Sequence, residues 1–275
     1  MRNKGDGRAW KNAGYLLMPV HPTAIVSPQA RVEETALIGP HCIVGPEVEI
    51  GAGTNLMGHV FVDGPTRIGE DNTFYPYSTV GVAPQDLKYR GEHSRTRVGN
   101  RNQIREFVTI HRGTEGGGMV TCLGDHNLLM AYVHVAHDVQ VANHVVLANA
   151  VTLGGHVLVG DWAVVGASTG VHQFCRIGRH AIIGGYSVVT QDVLPFSTTV
   201  SEREIHVFGA NATGLERRGF SAERIADLQK ALRLLARAGL NTSQAVERIR
   251  AEISSSPEIE ELLAFIAASE RGFVK

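Results

Sequence analysis

Four histidines, His134, His137, His156 and His172, fall close together in this 275-residue chain. Imidazole changes charge near neutral pH, so such a group suits proton transfer or metal ligation. His137 is followed directly by Asp138. A carboxylate that accepts the Nδ1 proton fixes the tautomer and leaves Nε2 as a general base. On a regular strand neighbouring side chains point to opposite faces, so this pair can meet only at a bend. No Ser or Cys stands in a nucleophile motif. The simplest chemistry is therefore direct attack by a substrate hydroxyl that His137 deprotonates. Histidines on an exposed surface are also often only solvated.

The element that must position these residues is written in a repeat. Aliphatic residues recur in steps of six at Val26, Val32, Ile38, Val44, Ile50, Leu56, Val62 and Ile68, and on through Phe74 and Val80. Val98, Ile104 and Ile110 resume the phase, and a one-residue shift later it runs unbroken from Leu123 to Val189. Six is neither the helical period nor the alternation of a strand. It fits a solenoid in which each hexapeptide makes one flat side, three sides close a coil, and coils stack about 4.8 Å apart. Glycines directly after the aliphatic residue, such as Gly39, Gly45 and Gly51, are expected to let the backbone turn each corner. His134 and His156 are 22 residues apart and His156 and His172 are 16 apart, close to one 18-residue coil. Successive coils should then stack these imidazoles along one edge.

Two breaks interrupt the frame. Residues 81–97 lack an inward-phase aliphatic apart from Leu87, which is out of register, and read as an extruded loop; residues 111–120 carry four glycines and read as a smaller excursion. Long loops in a compact solenoid usually serve function. After Asp192 the repeat ends. Ile225, Leu228, Leu232 and Leu235 then follow a helical period, with Ser221 as N-cap and Gly239 as stop; Asn241 with Gln244, and Ser256 with Pro257, open two more helices. The expected division is a tail at 1–18, a catalytic β-helix at 19–200, and a connection with a helical domain at 201–275 that caps the prism's end.

Composition narrows the function classes. Lys and Arg total 26 against 27 for Asp and Glu, so no global electrostatic footprint for nucleic acid follows. Three separated cysteines, Cys42, Cys122 and Cys175, fit free thiols in a reducing cytoplasm. No run is long and apolar enough for a membrane span, and residues 1–17 lack the apolar stretch of a signal peptide. Either Met18 is the true start or those residues form a disordered tail.

The hexapeptide array resembles the left-handed β-helix family, and longer strings narrow the resemblance. They are Gln85-Asp86-Leu87-Lys88-Tyr89, Val108-Thr109-Ile110-His111-Arg112-Gly113-Thr114, His134-Val135-Ala136-His137-Asp138, Gly155-His156-Val157, Val171-His172-Gln173-Phe174 and Gly214-Leu215-Glu216-Arg217-Arg218-Gly219-Phe220. Together they are similar to the UDP-N-acetylglucosamine acyltransferases of lipid A biosynthesis, from about His21 to the C-terminus. The resemblance implies a mainly β fold, a left-handed parallel β-helix with a short α-helical C-terminal domain, assembled as a homotrimer with clefts between neighbouring prisms. It implies transfer of a fatty acyl group, a 3-hydroxyacyl group by expectation, from acyl carrier protein to the 3-hydroxyl of UDP-N-acetylglucosamine, with no cofactor and no metal. His137 would be the base, Asp138 its orienting partner, and the Gly155 N–H the oxyanion donor. Gln85, Asp86, Lys88, His134, His156, His172 and Gln173 would line the sugar, phosphate and acyl subsites. Asn211, Arg217 and Arg218 would grip the nucleotide, and Gly185 would form the floor of the acyl groove.

The segment between Asp192 and Asn211 departs from the family's usual sequence, and Thr213 stands where Glu is common. For the acidic carrier protein, Arg176, Arg179, Arg218, Arg224, Lys230, Arg233 and Arg237 offer a basic face, with Arg176 and Arg179 nearest the site. A 3-amino sugar is an alternative acceptor, since the same base and cleft would serve it. From another class, a zinc-dependent β-helix hydratase would use three of the histidines as ligands, although His134 and His137 are closer in sequence than that family's pair. A purely structural solenoid leaves the loop at 81–97 unexplained.

Overall fold

The computed structural model describes residues 18–201, 205–236 and 238–275. Residues 1–17 and Arg237 lie outside it, and with them the expected tail and one member of the expected basic face. Among the described residues, twenty-seven short strands, most of two residues, form three sheets of nine, eight and ten strands, parallel throughout except for the last strand of the third. Face 1 begins at Ile25–Val26, face 2 at Arg31–Val32 and face 3 at Leu37–Ile38, and the chain visits them in that order. The result is a left-handed parallel β-helix with a short helical C-terminal unit.

The six-residue aliphatics do face inward. On face 1 the register stacks Val26, Val44, Val62, Val80, Ile110, Val135, Leu153, Val171 and Val189. All but Val26, next to the open first coil, are buried. Branched aliphatics suit this position because they fill a narrow prism from short side chains.

The corners are made differently from the expectation. The left-handed φ falls on the third residue after the aliphatic, which is seldom glycine: Glu47 (φ 57°), Asp138 (φ 61°), His156 (φ 63°) and Phe174 (φ 67°) share one edge. Gly39 and Gly51 serve another need. A Cβ on Gly39 would stand 2.3 Å from the Met57 carbonyl oxygen, and one on Gly51 would stand 2.6 Å from the Gly69 oxygen. These glycines let the next coil approach.

At the corner between faces 2 and 3 a buried asparagine ladder ties coil to coil. Asn102 Nδ2 donates to Asn72 Oδ1 (2.9 Å) and to the Gly124 carbonyl (2.9 Å), and the Asn127 N–H donates to Asn102 Oδ1 (2.8 Å). Replacing Asn102 with Ala strands a buried N–H and weakens the hold on a carbonyl. We expect a loss of about 2–4 kcal/mol, read as a lower midpoint in chemical denaturation; an unchanged midpoint would contradict the ladder's role.

Both frame breaks are shorter than the sequence suggested. Thr79–Val82 and Arg95–Val98 are strands on faces 1 and 2, so the first loop spans only 83–94. In Arg95–Val98, Thr96 and Val98 point inward between exposed arginines, and this alternation hides the strand from a six-residue count. His111 and Val120 likewise belong to strands, and a single 3-10 turn at Glu115–Gly117 lies between them.

Beyond the last coil, Ser197–Ser201 extends face 3 and Ile205–Ala210 returns antiparallel beside it. This hairpin falls in the segment that departs from the repeat, and helix α1 (Ala212–Arg217) follows it. Helices α2 (Ala222–Ala236), α3 (Thr242–Glu252) and α4 (Pro257–Ala267) follow. Asn241 and Gln244 form a capping box, and Ser256 caps α4 with Pro257 at its first turn, as their sequence signatures require. No described helix is long and apolar enough to cross a membrane.

Candidate active site

The corner between faces 1 and 2 holds His137, Asp138, Gly155, His156 and Gln173, while the 83–94 loop leaves the prism at the same corner. The bend brings the adjacent pair together: His137 Nδ1 lies 2.9 Å from Asp138 Oδ2. Asp138 is 3% exposed. Its carboxylate also accepts the Thr114 N–H (2.9 Å to Oδ1) and the Thr114 hydroxyl (2.5 Å to Oδ2), while its own N–H donates to Thr121 Oγ1 (2.7 Å). An ionised carboxylate only accepts, so the proton in the His137 bond sits on Nδ1 and the Nε2 lone pair is free. Gly155 lies one coil on from His137, against its ring; a Cβ there would come within 2.6 Å of His137 Cε1.

The four histidines do not form one column. An 18-residue step places Gly155, not His156, beside His137, and it places His156 beside Asp138. His156 stacks on Phe174 (4.4 Å) and meets the His137 ring edge-on (5.1 Å). His134 sits on face 1, where Thr109 Oγ1 lies 2.7 Å from its Nδ1. His172 is exposed, with Nδ1 3.0 Å from the Gln173 carbonyl. The sum of the spacings misleads because the residues occupy different places within their coils.

Burial holds His134 below the usual imidazole range, with the charge of His137 adding to it. His156 is lowered too, first by burial, against which Asp138 pulls upward. His111, which carried no role in the sequence reading, sits edge-on to His134 at 4.8 Å with Nδ1 buried and unpartnered among the described residues. Burial, then His134 and His137, push it down to about 4. Thr114 and Thr121 were missed as well. Their only trace in the sequence is the second frame break and the string that ends at Thr114.

His180, at the corner between faces 2 and 3, is pushed down to about 4 by burial and then by Arg179 and Arg218. Well above about pH 6.5 both His111 and His180 are neutral folded or unfolded, so no difference arises. As pH falls from there toward about 4, the unfolded chain takes protons that the folded chain refuses. Stability is therefore lost on acidification, by on the order of 3 kcal/mol per histidine at the limit. The urea midpoint should drop between about pH 7.5 and about pH 5; equal midpoints would contradict this.

The other expected residues lie elsewhere or are otherwise engaged. Gln85 and Lys88 are exposed on the loop, and Asp86 Oδ1 accepts the Lys88 N–H at 2.9 Å. Leu87 is 95% exposed. Gly185 is exposed at the corner between faces 3 and 1. Asn211 is buried, caps α1 through Gly214 and donates to the His180 carbonyl (2.9 Å). Arg217 is exposed, and Arg218 lies over the Trp162 ring at 4.9 Å and donates to the Gly214 carbonyl. The expected basic docking face is largely neutralised. Arg176 binds Asp192 (2.8 Å) and the carbonyls of Phe265 and Ala268, Arg179 pairs with Glu261, and Arg224 pairs with Glu258. Arg176 and Arg179 fasten the helical unit to the prism.

His137, Asp138 and His156 each present a ligand-type atom within 4.8 Å of the others. Asp138 already uses both oxygens on Thr114 and His137, so these groups point at one another rather than at a common centre. The arrangement reads better as a base with its orienting acid than as a cation site.

Comparison with known proteins places the chain in a family. Residues 192–274 match the family model described as UDP N-acetylglucosamine O-acyltransferase, domain 2. Over 256 residues the chain is 47% identical to the acyl-[acyl-carrier-protein]–UDP-N-acetylglucosamine O-acyltransferase of Thermodesulfovibrio yellowstonii, covering 93% of this chain and 99% of the relative. The corresponding enzyme of Myxococcus xanthus is 45% identical, with the same coverage of both chains. Among solved structures, LpxA from Acinetobacter baumannii superimposes with a TM-score of 0.90 at 43% identity, over 94% of this chain and all of that one. LpxA of Bacteroides fragilis, a UDP-N-acetylglucosamine acyltransferase, gives 0.89 at 39%, over 93% of this chain and all of that one. Near-complete coverage at these identities settles the classification: this chain belongs to the acyl-[acyl-carrier-protein]–UDP-N-acetylglucosamine O-acyltransferase family.

Proposed function

We propose that the protein transfers a 3-hydroxyacyl group from acyl carrier protein to the 3-hydroxyl of UDP-N-acetylglucosamine, the opening step of lipid A synthesis. The observation that carries the mechanism is the His137–Asp138 pair with Gly155 against its ring. His137 Nε2 removes the proton of the sugar hydroxyl as its oxygen attacks the thioester carbonyl. The oxyanion that forms takes a hydrogen bond from the Gly155 N–H. Collapse breaks the carbon–sulfur bond, and the departing thiolate recovers the proton from His137. An ester and a free carrier thiol remain. His134 and His156, both held toward the neutral form, suit hydrogen bonding to an uncharged sugar.

The active unit is a homotrimer in this reading. Outward residues on face 1 (Ile43, Thr109, Thr152, Val188) and on face 3 (Leu128, Val146, Val164, Ile182) are uncharged, whereas face 2 presents Arg31, Glu49, Arg67 and Arg97. In a threefold ring, face 1 of each copy would turn toward face 3 of the next and leave face 2 in water. The His137 corner of one copy then adjoins the neighbour's Trp162–Arg218 corner, and Gly185 lies toward the axis. That supports a cleft with the nucleotide at its mouth and the acyl chain running inward. Sedimentation equilibrium should return three times 29.7 kDa; a monomer mass would remove the shared cleft.

Mass spectrometry after incubation with UDP-N-acetylglucosamine, or its 3-amino analogue, and carrier proteins bearing 3-hydroxyacyl chains of several lengths tests acceptor and donor together. Ester formation on the first sugar supports the reading. Amide formation on the analogue alone would replace it.

A further inference from the structure

We propose that Thr114 is a positioning residue of the reaction, clamping Asp138 so that the carboxylate presents one accepting lone pair to His137. The proposal rests on the reading of His137 as the base. The excursion between His111 and Val120 folds over Asp138, and Thr114 gives its carboxylate both a hydroxyl and an N–H. The Thr114 hydroxyl donates to Oδ2 at 2.5 Å, the same oxygen that faces His137 Nδ1, and the Thr114 N–H bridges Oδ1 and Oδ2 at 2.9 and 3.1 Å. Thr114 itself is 6% exposed.

The loop is shaped for this task. A Cβ on Gly117 would fall 1.9 Å from Asp138 Cγ, so only glycine leaves room for the carboxylate. The N–H groups of Gly117 and Met119 both close on the Thr114 carbonyl, at 3.1 and 3.0 Å. At the loop's start Arg112 binds Asp63 (2.9 Å) and the Gly81 carbonyl (2.8 Å), tying the clamp to the base of the 83–94 loop. A hydroxyl has one proton, and here it meets a buried acceptor that also needs the His137 proton. With both bonds made, Asp138 cannot rotate, and the imidazole is fixed in plane with Nε2 outward.

Thr114→Val keeps the branched shape and the N–H but deletes the hydroxyl donor. The test compares Thr114→Val and Thr114→Ser for kcat, KM and thermal midpoint, each alone and with His137→Ala. We expect kcat of the Val variant to fall about tenfold, the scale of one hydrogen bond to a charged group, with KM near wild type. Ser should restore most of the rate, and Val should add nothing once His137 is gone. Wild-type kcat in Thr114→Val, equal losses in Val and Ser, or a change confined to KM or the thermal midpoint would overturn the clamp while leaving His137 as the base. Retained activity in His137→Ala alone would overturn the base itself.

Discussion

His137→Ala should lose activity by about 10²–10⁴-fold in kcat, the range of a deleted general base, while its fold and assembly persist. The ring lies at a corner, outside the aliphatic core, so its removal leaves no cavity in the prism. Its neighbours keep their own partners: Asp138 remains bonded to Thr114, and His156 remains stacked on Phe174. The effect should therefore appear in turnover, with KM little changed, because a base acts on the transition state more than on the bound substrate. Steady-state kinetics beside a circular-dichroism melt separate the two. Near-normal kcat would take His137 out of the mechanism.

Gly155→Ala is the second large effect, and it comes from one methyl group. The added carbon would sit 2.6 Å from His137 Cε1 and 2.7 Å from Nε2, inside any tolerable contact. Either the imidazole tilts away from Asp138 or the coil shifts with the N–H that would meet the oxyanion. Both changes strike the chemical step, and losing one oxyanion donor alone is worth about 10²–10³-fold. A loss of at least about 10²-fold is expected, without the melting change a core substitution would bring. A fully active Gly155→Ala would show that neither the ring's position nor that N–H matters.

How far the sequence foretold this molecule follows from which forces are local. The six-residue spacing of Val, Ile and Leu reports burial in a prism directly, so the coil and its inward residues were legible. Caps at Asn241 and Ser256 were legible too, because a side chain three residues from a backbone N–H needs no tertiary partner to announce itself. The corner residues were misjudged for a physical reason. A left-handed φ is usually glycine's, but here stacked coils hold Asp138, His156 and Phe174 in it through repeated backbone bonds such as His156 N–H to the His137 carbonyl (3.1 Å).

The site's pairing was legible and its mounting was not. The adjacency of His137 and Asp138 pointed to a hydrogen-bonded pair, and the corner does bring them to 2.9 Å. Thr114, 24 residues away in sequence, could be joined to Asp138 only once the loop had closed. The arginines failed for a related reason: Arg176 and Arg179 count as positive in a sequence, but Asp192, Glu261 and α4 carbonyls consume their charge and donors. A charge is available to a partner only if the fold leaves it alone.

Direct transfer from thioester to sugar, as proposed, puts no acyl group on the protein. Intact-protein mass spectrometry of samples quenched during a single turnover tests it. The chain should stay unmodified at every time point, while the UDP-sugar gains one acyl group and the carrier regains its thiol at equal rates. A chain that transiently gains the acyl mass, on a pathway competent to pass it to the sugar, would establish a covalent intermediate and rule out direct transfer.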